Sequence, residues 1–279
     1  MNMKRLLTLL TALFALPAHA AIVLVQQATP ATVTGTSATV TLTGVTAGDT
    51  LLLWVEGSAA GTLSVTESLS ETVNTAVAYA GQAPTYSSVG LYYVSNTAGG
   101  TVSFTANFGA GGTSGFIVLF ESEYSGISTT SPLDAATAVT TSNTTSVSST
   151  SITPAGSGEL FVSGLAFSVN ATMTWNAPYT SLQSNISSAH ANLASALGPT
   201  GATAASGTAS LAGHWAIAQA AFIPASGGGS CTHDGITSAG AIAIPNGTSG
   251  TYRLTSGALG TPDCSTVSYK QTQGAVGVN

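Results

Sequence analysis

Charged side chains are scarce in this chain of 279 residues, and cationic ones are the scarcest. Lys and Arg together number 4, Asp and Glu number 10, and charged residues make up 5% of the sequence. No Lys or Arg occurs between Ala21 and Ser230. Because binding to nucleic acid requires cations that displace counterions from phosphates, we expect no nucleic-acid partner. We also expect an acidic surface, which repels anionic polymers and anionic lipids.

Long apolar runs are missing after the first twenty residues. Lys4 and Arg5 precede an apolar stretch from Leu6 to Leu16, and the segment ends on Ala20. This order is typical of a secretory signal peptide over residues 1–20, with cleavage near Ala20. The apolar stretch is shorter than the roughly 20 residues that a membrane-spanning helix needs. We therefore expect a secreted protein, extracellular or periplasmic, without a transmembrane segment in the mature chain.

Helical periodicity is also lacking, whereas period-two alternation is frequent. Thr39, Thr41 and Thr43, for example, alternate with Val40 and Leu42. About a dozen such short segments without intervening helices favour packed antiparallel sheets, because parallel crossovers need helical segments. The sequence predicts an all-β fold over residues 21–225, a two-sheet antiparallel β-sandwich that is jelly-roll-like.

Two parts of this domain, about 48–125 and 158–224, have similar patterns. Gly48-Asp49 precedes an apolar strand in the first part, and Gly158-Glu159 does so in the second. Each part also contains a Gly/Thr-rich strand before its last apolar strand. An internal duplication is one interpretation, in which each half supplies strands to both sheets.

Cysteine occurs twice, at Cys231 and Cys264. Both follow a Gly/Ser linker at 226–230, in a C-terminal module of residues 231–279. In an oxidising compartment we expect the two to form a disulfide, closing a loop of about 34 residues and stabilising the module by roughly 3–4 kcal/mol. A segment this short has little core of its own, so we expect a small disulfide-closed β module.

Glu121 and Glu123 are two of the few acidic residues, and they allow three interpretations. Residues two apart on a strand share a face and lie about 7 Å apart, whereas retaining glycosidases hold two carboxyl groups about 5–5.5 Å apart. In the leading interpretation both side chains leave the core and enter water. A second is a calcium site using Glu121, Glu123 or Asp134, because hard cations prefer clustered oxygen ligands. The third is a catalytic pair; we predict no catalytic residue and no cofactor besides this calcium.

Aromatic residues offer a different kind of site. Trp175, Asn176 and Tyr179 lie in a turn-like stretch, whereas Trp54 and Trp215 lie in strand patterns and are predicted to be core. Sugar rings stack on exposed aromatic faces. Trp175, Tyr179 and Asn176 are therefore the candidate ligand-binding residues, with neutral glycan as the candidate ligand.

Several short motifs follow one another between about Val40 and Pro224. They are Gly48-Asp49, Tyr124-Ser125-Gly126-Ile127, Ser131-Pro132-Leu133-Asp134, Thr174-Trp175-Asn176-Ala177-Pro178, Gly213-His214-Trp215-Ala216 and Phe222-Ile223-Pro224. This succession resembles a β-sandwich domain that recurs in secreted and phage-associated bacterial proteins. The resemblance implies an extracellular, modular and non-catalytic role, and it transfers no catalytic residue. The lack of basic residues is a departure from that group.

Three functions remain open at this point. The leading hypothesis is a secreted, non-enzymatic module for surface attachment, extracellular assembly or neutral carbohydrate binding, with a glycan or a cell-surface protein as partner. The second is a secreted hydrolase acting on polysaccharide or ester. The third is a structural or decoration subunit of a filament or phage-like particle.

Overall fold

The computed structural model describes residues 21–183 and 191–225, together with the backbone of 249–252 and 267–270. Every regular element in these residues is a β-strand, and all paired strands are antiparallel. The all-β class predicted from the sequence is therefore confirmed. The predicted signal peptide, the linker at 226–230 and both cysteines of the predicted disulfide lie outside the described residues.

The described strands are numbered in chain order. Those of the first lobe, residues 23–125, are β1 (Val23–Gln27), β2 (Ala31–Gly35), β3 (Ser37–Val45), β4 (Thr50–Gly57), β5 (Ser64–Glu67), β6 (Asn74–Gly81), β7 (Ser88–Val94), β8 (Gly100–Asn107) and β9 (Gly115–Ser125). Those of the second lobe, residues 133–222, are β10 (Leu133–Ala136), β11 (Thr140–Ser148), β12 (Leu160–Phe167), β13 (Met173–Trp175), β14 (Thr180–Gln183), β15 (Ala191–Leu197) and β16 (Ser206–Phe222). Near the C-terminus, β17 (Ser249–Tyr252) pairs with β18 (Val267–Lys270).

Three sheets build the two lobes. Sheet A of the first lobe has the order β1-β9-β4-β7-β6, and β2 also pairs with β9. Sheet B of the first lobe has the order β3-β8-β5. Sheet C holds all strands of the second lobe in the order β10-β16-β12-β15-β14, and β11 and β13 also pair with β16.

The two lobes repeat one strand order. The path β10-β16-β12-β15-β14 matches the path β1-β9-β4-β7-β6 position by position. The long strand β16 takes the place of both β8 and β9: its first part pairs with β13 and the end of β11, and its last part pairs with β12 and β10. The structure therefore contains a repeated topology, while a common origin of the two halves stays a prediction.

Three apolar clusters define the layers. One fills the space between sheets A and B, one lies between sheets A and C, and one is enclosed by the two parts of sheet C. Sheet A is consequently covered on both faces, and all eight residues of β4 are buried. Burial of apolar surface on both faces is the main source of stability for such a strand.

The stack has more layers than the two-sheet sandwich that the sequence predicted. Each lobe forms its own β-sandwich, and sheets A and C pack against each other through their remaining faces. Trp54 and Trp215 are each 3% exposed, so their predicted place in the core is confirmed. Residues 20–225 form one compact unit, and the C-terminal strand pair belongs to another. Among the described residues, no helix has the length and hydropathy required to cross a bilayer.

Candidate functional site

The outward side of sheet B consists of hydroxyl and amide side chains. Alternate residues of β3, β8 and β5 point inward into the cluster between sheets A and B, so the residues between them face solvent. We call the outward set the first hydroxyl face; its three cross-strand rows are Ser37–Asn107–Ser64, Thr39–Thr105–Thr66 and Thr41–Ser103–Ser68. In a sheet such side chains are spaced by about 4.8 Å between strands and about 6.7 Å along a strand.

Hydrogen bonds between neighbouring side chains order this face. The hydroxyl oxygens of Thr39 and Thr105 are 2.9 Å apart, and those of Thr41 and Ser103 are 2.8 Å apart. At the third strand, Ser68 Oγ accepts the backbone N–H of Ser103 at 3.0 Å. Because each hydroxyl both donates and accepts, the face retains free hydrogen-bonding capacity toward solvent.

The second lobe presents an equivalent surface on its outer side. Val147, Met173 and Ala209 point into the cluster within sheet C, and their neighbours point outward. The second hydroxyl face has the rows Ser148–Ser206–Asn176, Ser146–Thr208–Thr174 and Ser210–Thr172. Since the layers are stacked in one order, the two hydroxyl faces lie at opposite ends of the stack.

None of the eight carboxyl groups in residues 21–183 and 191–225 is exposed. Five are buried and three are half-buried; they are Glu56, Glu67, Glu121, Glu123 and Glu159, and Asp49, Glu71 and Asp134. The prediction of an acidic surface is therefore wrong for this part of the chain. The surface is polar but carries no exposed charged side chain, because the same residues also contain no Lys or Arg.

Glu121 and Glu123 face the interior and not water. They are 1% and 0% exposed, on the side of β9 that is covered by sheet B. The leading interpretation from the sequence, that both side chains leave the core, is thus wrong. Period-two alternation correctly places the two on one face of the strand, but it does not reveal that a second sheet covers this face.

The two buried carboxyl groups have different surroundings. Glu123 Oε1 accepts the backbone N–H of Thr46 at 2.7 Å, and its Oε2 accepts Gln26 Nε2 at 2.5 Å. Burial raises the pKa of Glu123, but these hydrogen bonds and one from Asp49 outweigh it and hold the pKa below its ordinary value. Neither oxygen of Glu121 has a hydrogen-bond partner. Burial, with the charges of Glu123 and Glu67, raises the pKa of Glu121 to about 8.

The third residue of the candidate calcium site lies in the other lobe. Asp134 belongs to β10, where its carboxylate accepts the backbone N–H of Ala155 at 3.0 Å and contacts Glu159. Burial raises the pKa of Glu159, and the neighbouring Asp134 adds to the effect. The structure does not bring Asp134 together with Glu121 and Glu123. In the described part of the chain, no group of three or more His, Cys, Asp or Glu side chains is arranged to hold a metal ion.

The three candidate glycan-binding residues are close in space but differ in exposure. The rings of Trp175 and Tyr179 have centroids 6.2 Å apart, tilted by 33°. Tyr179 is 4% exposed and donates its hydroxyl hydrogen to Gln219, so the expectation that it is a stacking platform is wrong. Trp175 is half-buried, and exposed Asn176 donates to Ser206 Oγ at 3.1 Å within the second hydroxyl face.

With this geometry established, comparison with known proteins adds no family. No protein-family model, no curated protein and no solved structure matches the chain. The resemblance to secreted and phage-associated domains consequently stays a hypothesis that depends on short motifs. The two hydroxyl faces and the buried carboxyl groups are the features of the described domain that bear on function.

Two further sites were not singled out by the sequence. Glu56 is 1% exposed at the contact between the lobes; burial raises its pKa well above the ordinary value, and the backbone of Leu165 and Asn192 offsets this only in part. The rings of Tyr86 in the first lobe and His214 in the second are stacked with centroids 3.6 Å apart. Residue types in isolation give no signal for either contact, because both depend on how the lobes pack.

Proposed function

We propose that this protein is a secreted, non-enzymatic attachment module that binds neutral, hydroxyl-rich polymer surfaces through its two hydroxyl faces. The observation that supports the proposal is the pairing of ordered hydroxyl rows with a surface that has no exposed charged side chain among the described residues. A surface without exposed charged side chains favours neutral partners, since charged polymers would gain no ion pairs on the hydroxyl faces.

A flat sheet face suits an extended ligand better than a small molecule. A single hydrogen bond exchanged with water contributes only about 0.5–1.5 kcal/mol, so affinity has to come from many bonds formed together. Rows of hydroxyls at fixed spacing can form many such bonds with a polysaccharide whose own hydroxyls are regularly spaced. The cross-strand bonds of Thr39 and Thr41 hold the rows in place before binding, which reduces the entropy cost of association.

The proposal includes the features that the sequence predicts outside the described residues. We expect the segment 1–20 to direct export toward extracellular polymers. We also keep the expectation that a disulfide between Cys231 and Cys264 closes a separate module at 231–279. The jelly-roll-like description of the domain, and its resemblance to a domain of secreted and phage-associated bacterial proteins, belong to the same proposal.

Depletion assays on insoluble neutral polysaccharides test the function. The full chain is mixed with microcrystalline cellulose or chitin, and the protein left in solution is measured. Thr105→Arg and Thr208→Arg place a bulky charge in the middle row of each hydroxyl face. We expect each single variant to bind more weakly, and the double variant to lose binding by about tenfold or more.

Ser181→Arg is the matched control, because Ser181 is an exposed hydroxyl residue on β14, outside both faces. It should bind as the unaltered protein does. Failure of the unaltered protein to bind either polymer, or equal binding by the double variant, would contradict the proposal. Turnover of chromogenic glycosides or esters that is lost in Glu121→Ala or Glu123→Ala would support the hydrolase instead, and concentration-dependent assembly in size-exclusion chromatography would support a structural subunit.

A further inference from the structure

The repeated topology places Glu121 and Gln219 at equivalent positions. Glu121 lies opposite Leu53, the fourth residue of β4, and Gln219 lies opposite Ser163, the fourth residue of β12. Both side chains are buried and point into the sandwich of their own lobe. The same place in the fold thus holds a carboxyl group in one lobe and a carboxamide in the other.

The carboxamide of Gln219 is hydrogen-bonded at both its nitrogen and its oxygen, whereas the carboxyl group of Glu121 has no hydrogen bond. Gln219 Nε2 donates to the backbone carbonyls of Thr150 at 2.6 Å and Thr203 at 2.9 Å, and its Oε1 accepts the Tyr179 hydroxyl. Glu121 has no hydrogen bond at either oxygen. A buried carboxylate without partners is far more costly than a buried carboxylic acid, so the surroundings favour a bound proton.

The groups that face Glu121 add to this preference. Glu123 lies on its own strand, Glu67 faces it from β5, and Asp49 is hydrogen-bonded to Glu123 at the start of β4. Glu67 accepts backbone N–H groups of Leu69 and Glu71, and Tyr92 of β7 shares the apolar cluster. The described first lobe contains no Lys, Arg or His that could neutralise a carboxylate.

We propose that Glu121 is a proton-dependent lock on the first lobe, protonated in the folded protein at acidic and neutral pH, whose ionisation weakens the packing of sheet B on sheet A. The first lobe would then be more stable at acidic than at alkaline pH. This inference is independent of the attachment function, because it depends on the interior of the first lobe and not on its outer face.

The sign of the effect follows from proton linkage. The pKa of Glu121 is raised from 4.5 to about 8, mainly by burial and then by Glu123 and Glu67. Between these two values the folded state holds a proton that the unfolded state has lost. The stability from this group is therefore complete below pH 4.5 and is lost as pH rises toward 8. Asp49, Glu56 and Glu159 also have raised pKa values and act in the same direction, whereas Glu123 acts in the opposite one.

Thermal unfolding of the full chain between pH 4.5 and 9, followed by circular dichroism, tests the lock. We expect the melting temperature of the unaltered protein to fall by roughly 10 °C across this range. Glu121→Gln introduces the residue type that the second lobe holds at Gln219. Its melting temperature relative to the unaltered protein should rise steadily with pH and exceed it by several degrees at pH 8.5. In Gln219→Glu the melting temperature should fall more steeply with rising pH than in the unaltered protein.

Leu119→Ala is the control for a purely structural effect. Leu119 lies on the same face of β9 and is fully buried, so its loss should lower the melting temperature by a similar amount at every pH. A carbon-13 titration of glutamate carboxyl groups gives a second readout, in which the resonance that titrates near pH 8 should be missing from Glu121→Gln. The inference is overturned if that resonance persists, or if the melting temperatures of Glu121→Gln and the unaltered protein differ by a constant amount across the pH range.

Discussion

At the scale of single residues, the contact between the lobes pairs a large aromatic side chain with a glycine that has no side chain. Trp54 is the fifth residue of β4, and Gly164 is the fifth residue of β12, so the two are equivalent in the repeated topology. They pack directly against each other, and a Cβ atom at Gly164 would overlap the ring of Trp54. The pair therefore favours contact between two unlike lobes. In a contact between two identical first lobes, two Trp54 rings would meet and overlap.

This contact predicts that Gly164→Ala is destabilising. Interiors are closely packed, and a methyl group inserted against a buried aromatic ring forces side-chain or backbone shifts. We expect a loss of about 1–3 kcal/mol in the free energy of unfolding, measured by urea denaturation. Gly201→Ala is the control, since a Cβ there meets no atom within 4 Å and the backbone is not left-handed; it should change stability by no more than about 0.5 kcal/mol.

A double variant tests whether steric overlap with the Trp54 ring causes the destabilisation by Gly164→Ala. Trp54→Leu removes the ring that the new methyl group would meet, at its own cost in lost packing. If overlap is the cause, Gly164→Ala should lower the free energy of unfolding by less in the Trp54→Leu background than in the unaltered protein. Equal costs in both backgrounds would show that Trp54 is not what Gly164 accommodates.

At the scale of strands, β16 shows how one element can replace two. In the first lobe β8 and β9 are separated by residues 108–114, whereas β16 continues from one layer to the next. Its pairing with β11 shifts between Gly213 and Thr208, so the residues between them are not in regular register. Leu211 is 54% exposed at this place. The crossing point of β16 therefore corresponds to the loop of the first lobe.

Insertion at this crossing point should be tolerated. We expect a copy of residues 108–114 placed after Leu211 to leave a folded protein whose melting temperature falls by only a few degrees, since surface loops cost little closure entropy. The same insertion after Val162, in the middle of β12 where every residue is buried, should abolish cooperative unfolding. Circular dichroism with thermal unfolding measures both, and similar outcomes at the two places would argue against the equivalence.

Strand identity was readable from the sequence, but the number of layers was not. Alternation around Val40 and Leu42 indicates a strand with one buried face, and the structure has it as β3. In β4 and β12 both faces are buried, so apolar residues run on continuously and alternation no longer tells which sheet covers which face. The burial of Glu121 was missed for this reason: the pattern assigns its face, while the covering sheet B comes from strands far away in sequence.

At the scale of the whole molecule, the acidic side chains of the described domain are buried or half-buried, and its exposed polar side chains are uncharged. The composition of the chain predicts an acidic surface, whereas the outward rows of the hydroxyl faces consist of Thr, Ser and Asn. The same composition cannot show that the remaining carboxyl groups of the described domain lie inside, because burial of an acid is normally unfavourable. Protonation, as argued for Glu121, and hydrogen bonding, as seen for Glu123, reduce that cost.

The two lobes share one apolar cluster between sheets A and C. The apolar cluster between sheets A and C is the largest of the three, and separation would expose it on both lobes. We therefore expect residues 21–129 and 130–225, produced separately, each to lack a cooperative thermal transition. Co-expression should restore a one-to-one complex that unfolds in a single transition, because residues 126–132, which connect the lobes, include only two buried residues, Ile127 and Pro132. Size-exclusion chromatography and calorimetry measure this outcome.

The Trp54–Gly164 pair sharpens this test, because it predicts which complexes can form. A dimer of two first lobes would bring Trp54 against Trp54, and a dimer of two second lobes would leave a gap at Gly164. Mixed complexes should consequently dominate over like pairs, and Gly164→Ala should weaken the mixed complex while Gly201→Ala leaves it intact. A first lobe that is monomeric and unfolds cooperatively at the temperature of the intact domain would show that the lobes are independent folding units, and that their shared cluster is not what stabilises them.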